Sequence, residues 1–182
     1  MKTLQPRSLT HERFAPYGDV IEIAARTPCR MNDGRFERFE GLSRVETDDR
    51  GHASIGIVKC TIPTDLPCHF NQIERHPLGS QAFIPLATFP FVVVVAPPRP
   101  RVRVQDLRAF VTDGRQGVNY RRGTWHMPLI GLEVGQEFLV IDRAGAASNW
   151  QGHVFDQPVT LENFLASRTR VSMGSLTVRN AT

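Results

Sequence analysis

Glu74, His76 and Gln81 put three chelating side chains into the eight residues ERHPLGSQ. In extended chain, residues two apart point the same way, so Glu74 and His76 share a face while Arg75 points away. The PLGS stretch is turn-like, and Gln81 opens the apolar run QAFIPL, so a hairpin-like return carries Gln81 back beside His76. A second imidazole is offered by GTWHMPL, where His126 follows Gly123 by three residues and precedes Pro128. Spacing leaves two readings of His126 open: a ligand delivered into a barrel from a distant stretch of chain, or a hydrogen-bonded core histidine. Taken together, Glu74, His76, Gln81 and His126 supply two neutral nitrogens, one carboxylate and one amide oxygen. That set has no thiolate and suits an open-sided divalent ion such as Ni, Mn, Fe, Co or Zn, not a closed structural zinc.

Such a site needs a β scaffold, and the chain is written in short β-like pieces: SIGIVKCTI, QAFIPLA, FPFVVVVA, VRVQDLRAFV, GVNYRRGTW and GQEFLVIDR. Gly, Pro, Asn and Asp separate them at roughly the 8 to 12 residue spacing of a sandwich or barrel. Pro85 interrupts QAFIPLA and predicts a bend or strand end. Residues 91–95, FVVVV, lack polar alternation and are expected to be covered on both faces. Helix is brief: Ser8 and Thr10 are candidate caps for one turn that breaks at Pro16–Gly18, after which VIEI resumes as strand. QDLRAFVTDG fits either a short helix ending at Gly114 or a strand entering the Asp113-Gly114 turn. The segment AGAASNWQG is small and polar and carries no periodicity. Residues 1–160 are read as one catalytic domain, and 161–182 as a tail that forms a short helix, a disordered end or a packing arm.

The chain has 182 residues, enough for a single core without disulfides. No apolar run approaches the roughly 18 residues needed to cross a bilayer. The amino-terminal stretch lacks the apolar centre of a secretory signal, which places the expected site of action in the cytoplasm. Cys29, Cys60 and Cys68 follow no paired spacing and are expected as reduced thiols. The net charge of +4 rests almost entirely on arginine. The densest cluster, Arg99, Arg101, Arg103 and Arg108, has no aromatic platform, so an edge strand or surface loop is expected there in place of nucleic-acid binding.

ExHxxxxQ has the layout of the first cupin motif, HxHxxxxE, with Glu74 and Gln81 replacing its outer residues, and GxxH has the core of the second. IERHPLGSQAFIPL, FVVVVA, LRAFVTDGRQGVNY, TWHMPL, FLVIDRAG, the amino-terminal YGDVIE and the NDG...ERF segment more closely resemble the ureidoglycolate lyase family. The resemblance covers about residues 3–160. It implies a mainly β, cupin-type jelly-roll β-barrel with a few short helices. It also implies a cytoplasmic homodimer of allantoin catabolism that cleaves (S)-ureidoglycolate to glyoxylate and urea, with nickel as cofactor. The expected metal set is Glu74, His76, Gln81 and His126, with Glu74 and the two histidines also catalytic. Arg38 and Arg143 are candidates for the substrate carboxylate, and Asn119 and Tyr120 for its ureido group. Trp125, one residue before His126, falls on the opposite strand face and is expected to pack. Another metal-dependent cupin enzyme, or a non-catalytic cupin that binds a small organic acid, would use the same residues.

Overall fold

The computed structural model describes residues 2–24 and 26–164; the tail expected from 161 onward lies, beyond Phe164, outside the described residues. The elements run β1 (Lys2–Leu4), β2 (Arg7–Ser8), α1 (His11–Phe14), β3 (Gly18–Ile21), β4 (Cys29–Met31), β5 (Phe36–Arg38), β6 (His52–Lys59) and β7 (Cys68–Arg75). They continue as β8 (Gln81–Pro85), β9 (Val92–Ala96), a 3₁₀ turn at Val104–Asp106, β10 (Arg108–Val111), β11 (Gly117–Tyr120), β12 (Trp125–His126), β13 (Glu137–Ala144) and β14 (Gln151–Leu161). Thr10 caps α1, its hydroxyl accepting from Arg13 N–H. Strand β8 stops at Pro85, and QDLRAFVTDG divides into the 3₁₀ turn and a strand. The arginine-rich stretch before it is a surface loop whose Arg99 carbonyl accepts from Arg75 and from the Trp125 indole.

Two large sheets make the body. One has the order β1-β14-β7-β12-β9-β10-β2, the other β3-β11-β8-β13-β6, and β4 and β5 form a separate hairpin. The edge strands β1 and β2 are separated in the chain by only Gln5 and Pro6. Three Cα steps span at most about 11 Å, so the seven-stranded sheet must curl until its edges approach. The result is a cupin-type β-barrel. Strand β9 is buried along its whole length, as its unbroken valines require. Val93 and Val95 face the five-stranded sheet and pack with Phe83, Phe91, Val118 and Phe138. Val92, Val94 and Ala96 face the other way and pack with Ile73, Trp125, Phe155 and Leu161. The candidate site opens from the first of these two cores.

Candidate metal centre

Strand β12 lies between β7 and β9, and its register sets His126 directly against Glu74 on one side and Val95 on the other. All three therefore look toward the five-stranded sheet. Trp125, one residue earlier, enters the opposite core, with the Arg75 guanidinium 4.5 Å over its ring. Beyond the end of β7, His76 turns back over the same face, and its ring centroid lies 5.2 Å from that of His126. The ligand atoms of Glu74, His76 and His126 lie within 4.8 Å of one another, a spacing at which one ion can be held by all three. The Oε1 of Glu74 is 3.7 Å from Nε2 of His126.

Hydrogen bonding fixes which ring atoms are free. His76 Nδ1 donates to the Asn149 carbonyl at 2.6 Å, and His126 Nδ1 donates to the Thr124 carbonyl at 3.0 Å. Each Nδ1 thus carries a proton, and in the neutral ring the inward-turned Nε2 is the atom with the free lone pair. Both Nε2 atoms are buried without a partner among the described residues. A buried acceptor left unpaired costs about 1–3 kcal/mol, so two of them converging beside a carboxylate is the signature of a place for an electrophile. Burial holds the His126 pKa at about 3, with the nearby His76 adding to the depression and the bond to Thr124 opposing it, so the ring stays neutral and able to ligate. Tyr120 stacks on His126 at 4.4 Å. Burial, reinforced by the Glu74 charge, pushes the Tyr120 phenol far above its ordinary pKa and keeps it protonated.

Gln81 comes from the facing sheet. It pairs with Tyr120 across β8 and β11, and with Glu74 it lines a cavity of about 470 Å³ floored by Phe83, Phe138 and Val140. The remaining three residues expected at the substrate are engaged elsewhere. Arg143 points to the far side of β13, where its Nε is 2.9 Å from Asp48 Oδ1 and its Nη1 donates to the Ala147 carbonyl at 2.8 Å. The guanidinium keeps the Asp48 carboxyl below the usual carboxylate range, while its Nη2 is buried without a hydrogen-bond partner among the described residues. Asn119 pairs with Ala82, on the face opposite Tyr120, and gives both amide hydrogens to Ser43 Oγ and the Arg44 carbonyl. Arg38 sits exposed on the β4–β5 hairpin, 3.0 Å from Glu40.

Three residues that periodicity does not single out reach the site. Asn149 accepts from His76 through its backbone carbonyl and from Leu78 N–H through its side chain at 2.7 Å, clamping the turn that carries His76. Trp150, 60% exposed, donates from its indole to Glu74 Oε2 at 2.7 Å and leaves Oε1 facing His126. Asp142 lines the same cavity as Glu74 and Gln81. Their only trace in the sequence is an Asn-Trp pair in an otherwise small polar loop and one acid inside an apolar strand.

The sequence profile of the ureidoglycolate lyase family matches residues 1–162. A ureidoglycolate lyase of Pseudomonas aeruginosa strain PAO1 is 45% identical over 161 residues, covering 86% of this chain and 93% of that protein. Its counterpart in Pseudomonas fluorescens strain SBW25 is 46% identical over 158 residues, with 86% and 94% covered. That of Azotobacter vinelandii is 43% identical over 160 residues, with 86% and 95% covered.

Proposed function

The chain belongs to the ureidoglycolate lyase family and is a lyase, and on that premise we propose that the Glu74, His76 and His126 centre cleaves (S)-ureidoglycolate to glyoxylate and urea. The observation that carries the reading is the pair of orphaned Nε2 atoms beside a carboxylate that lines a cavity large enough for a small acid. The donor set fits a divalent ion that would be held by His76 Nε2 and His126 Nε2 with Gln81 from the facing sheet, and by Glu74 Oε1 while no substrate is bound. Nickel is the ion proposed, from the family resemblance. When bound, such an ion supplies Lewis acidity to a substrate hydroxyl and carboxylate and lowers the hydroxyl pKa.

The rest falls to the chain. Ureidoglycolate carries a hydroxyl and a ureido nitrogen on one carbon. Loss of the hydroxyl proton turns that oxygen into the aldehyde as the carbon–nitrogen bond breaks, and the nitrogen leaves with a proton as urea. Glu74 receives the hydroxyl proton and returns it to the departing nitrogen, so the reaction is redox-neutral and consumes no net proton. The Trp150 indole holds Oε2 and keeps Oε1 in the site for that transfer. Asn149 and Thr124 orient the two imidazoles. Tyr120 supports the His126 ring and offers its phenol toward the substrate. In this reading Asn119 and Arg143 act by holding the segments around residues 43–48 and 145–149, and Arg38 can meet the substrate carboxylate only from outside the cavity.

The homodimer and the cytoplasm complete the proposal. Edge strand β6 supports the first, since it exposes Ile55 and Ile57 at 72% and 64% beside an unpaired strand edge. Among the described residues no helix is long and apolar enough to cross a membrane.

The test is release of urea and glyoxylate from ureidoglycolate, measured against its spontaneous decay, before chelation, after chelation and after nickel is restored. Release that falls to the spontaneous rate on chelation and returns with nickel supports the reading. Release at the spontaneous rate under every condition removes it and favours the alternative of a binding module.

A further inference from the structure

Of the triad Glu74 lines the cavity, and a ureido group extending from it brings N–H donors toward walls that include Phe83, Leu129, Phe138 and Val140. A donor buried there without an acceptor costs about 1–3 kcal/mol. The facing sheet supplies acceptors at one level only. In β8, β11 and β13 the pairs Tyr120 with Gln81, Val140 with Phe83 and Ile141 with Ala82 fix the register. One step further along the same register sets Asp142 opposite Gln81. Tyr120, Gln81 and Asp142 thus form a row that looks across at Glu74 and His126.

Asp142 differs from the other charged groups of this wall. The Lys59 ammonium is 2.9 Å from Glu137 Oε1, and Glu74 is held by Trp150. The Asp142 side chain has no hydrogen bond or ion pair among the described residues, although the residue is only partly exposed and lines the cavity. Its chain neighbour Arg143 is turned to the opposite face, where it pairs with Asp48. A carboxylate is an acceptor-only group able to take two parallel N–H bonds, the pattern that the two nitrogens of a ureido group present.

We propose that Asp142 is the acceptor for the ureido N–H groups, so that it orients the urea end for departure and makes the site specific for ureido-bearing acids. This inference rests on the reaction proposed above and adds to it the residue that recognises the leaving group. Gln81, beside it, is left to the ion.

Two non-cleavable ligands separate the two claims. Hydantoate carries the ureido group and carboxylate but lacks the hydroxyl; glycolate carries the hydroxyl and carboxylate but lacks the ureido group. Their affinities are measured by calorimetry on nickel-loaded wild type and Asp142→Asn, with metal content and melting temperature recorded for both. The expected result is a tenfold or greater weakening of hydantoate, glycolate unchanged within about twofold, and unchanged metal content. If the asparagine variant does not fold, Asp142→Ser is measured in the same way. Equal weakening of both ligands, no weakening of hydantoate, or loss of nickel in the variant overturns the role of Asp142 while ureidoglycolate cleavage by the wild type stands. A wild type that binds neither ligand overturns the proposed function, and this inference with it.

Discussion

The two faces of β7, β12 and β9 use the same backbone for opposite ends. On one face Ile73, Trp125 and Val94 belong to a closed apolar cluster, and the Trp125 indole N–H is satisfied by the Arg99 carbonyl. On the other, one residue along, Glu74 lines a cavity with His126 and Val95 beside it in the register, and two imidazole nitrogens go unpaired. A pleated strand makes this division automatic, because its period of two sends neighbours to opposite sides. The closed face holds the fold together; the open face keeps an unsatisfied demand that only an added group can meet.

Substitutions on the two faces should therefore separate activity from stability. His126→Ala is expected to abolish nickel binding and lower ureidoglycolate cleavage by at least about 10³-fold, because it removes a ligand outright. Equilibrium dialysis and a urea assay check both losses. Trp125→Ala, its neighbour, is expected to lower the unfolding free energy by about 3–5 kcal/mol in urea titrations, as large-to-small core changes do, while nickel affinity of the folded protein shifts less than about threefold. A Trp125→Ala variant that lost nickel first would break the division.

The open face should also make the metal-free protein sensitive to acid. In the folded chain His126 has a pKa of about 3, against about 6.5 when unfolded, so only the unfolded state binds this proton between those values. The contribution is fully present above about pH 6.5 and is lost as pH falls toward 3, at up to about 1.4 kcal/mol per pH unit. Chemical denaturation from pH 7 to 4 should show that slope in the wild type and a flatter one in His126→Ala. Asn149→Ala should act more gently still, lowering nickel affinity about 10- to 100-fold, because the turn carrying His76 loses its Leu78 anchor and the loop that supplies the carbonyl is loosened.

What could be read from the sequence followed the same period of two. Glu74 with His76, His126 set against Trp125, the stop at Pro85 and the doubly buried valines all depend on alternation within one strand, which the letters display. The cap at Thr10 is equally local. Contacts that depend on register between distant strands were not visible in this way. Asp142 faces the cavity, and Arg143 faces Asp48, only because β13 pairs with β6 and β8 in one particular alignment. Asn149 acts partly through its backbone carbonyl, which every residue possesses, and so its type gives no warning. The long strand β14 is masked by Pro158 and by a register shift between Val154 and Val159, which interrupts the alternation that would have marked it. Side-chain type likewise does not reveal the contacts that Arg38 makes with Glu40, Asn119 with Ser43 and Arg44, and Arg143 with Asp48 and Ala147.

The account turns on three atoms converging on one ion, and the most direct measurement is the crystal structure of the nickel-loaded protein. It should show one nickel per chain on Nε2 of His76, Nε2 of His126 and Oε1 of Glu74, with the Trp150 indole still on Oε2. A nickel bound through either Nδ1, or seated away from Glu74, would contradict it.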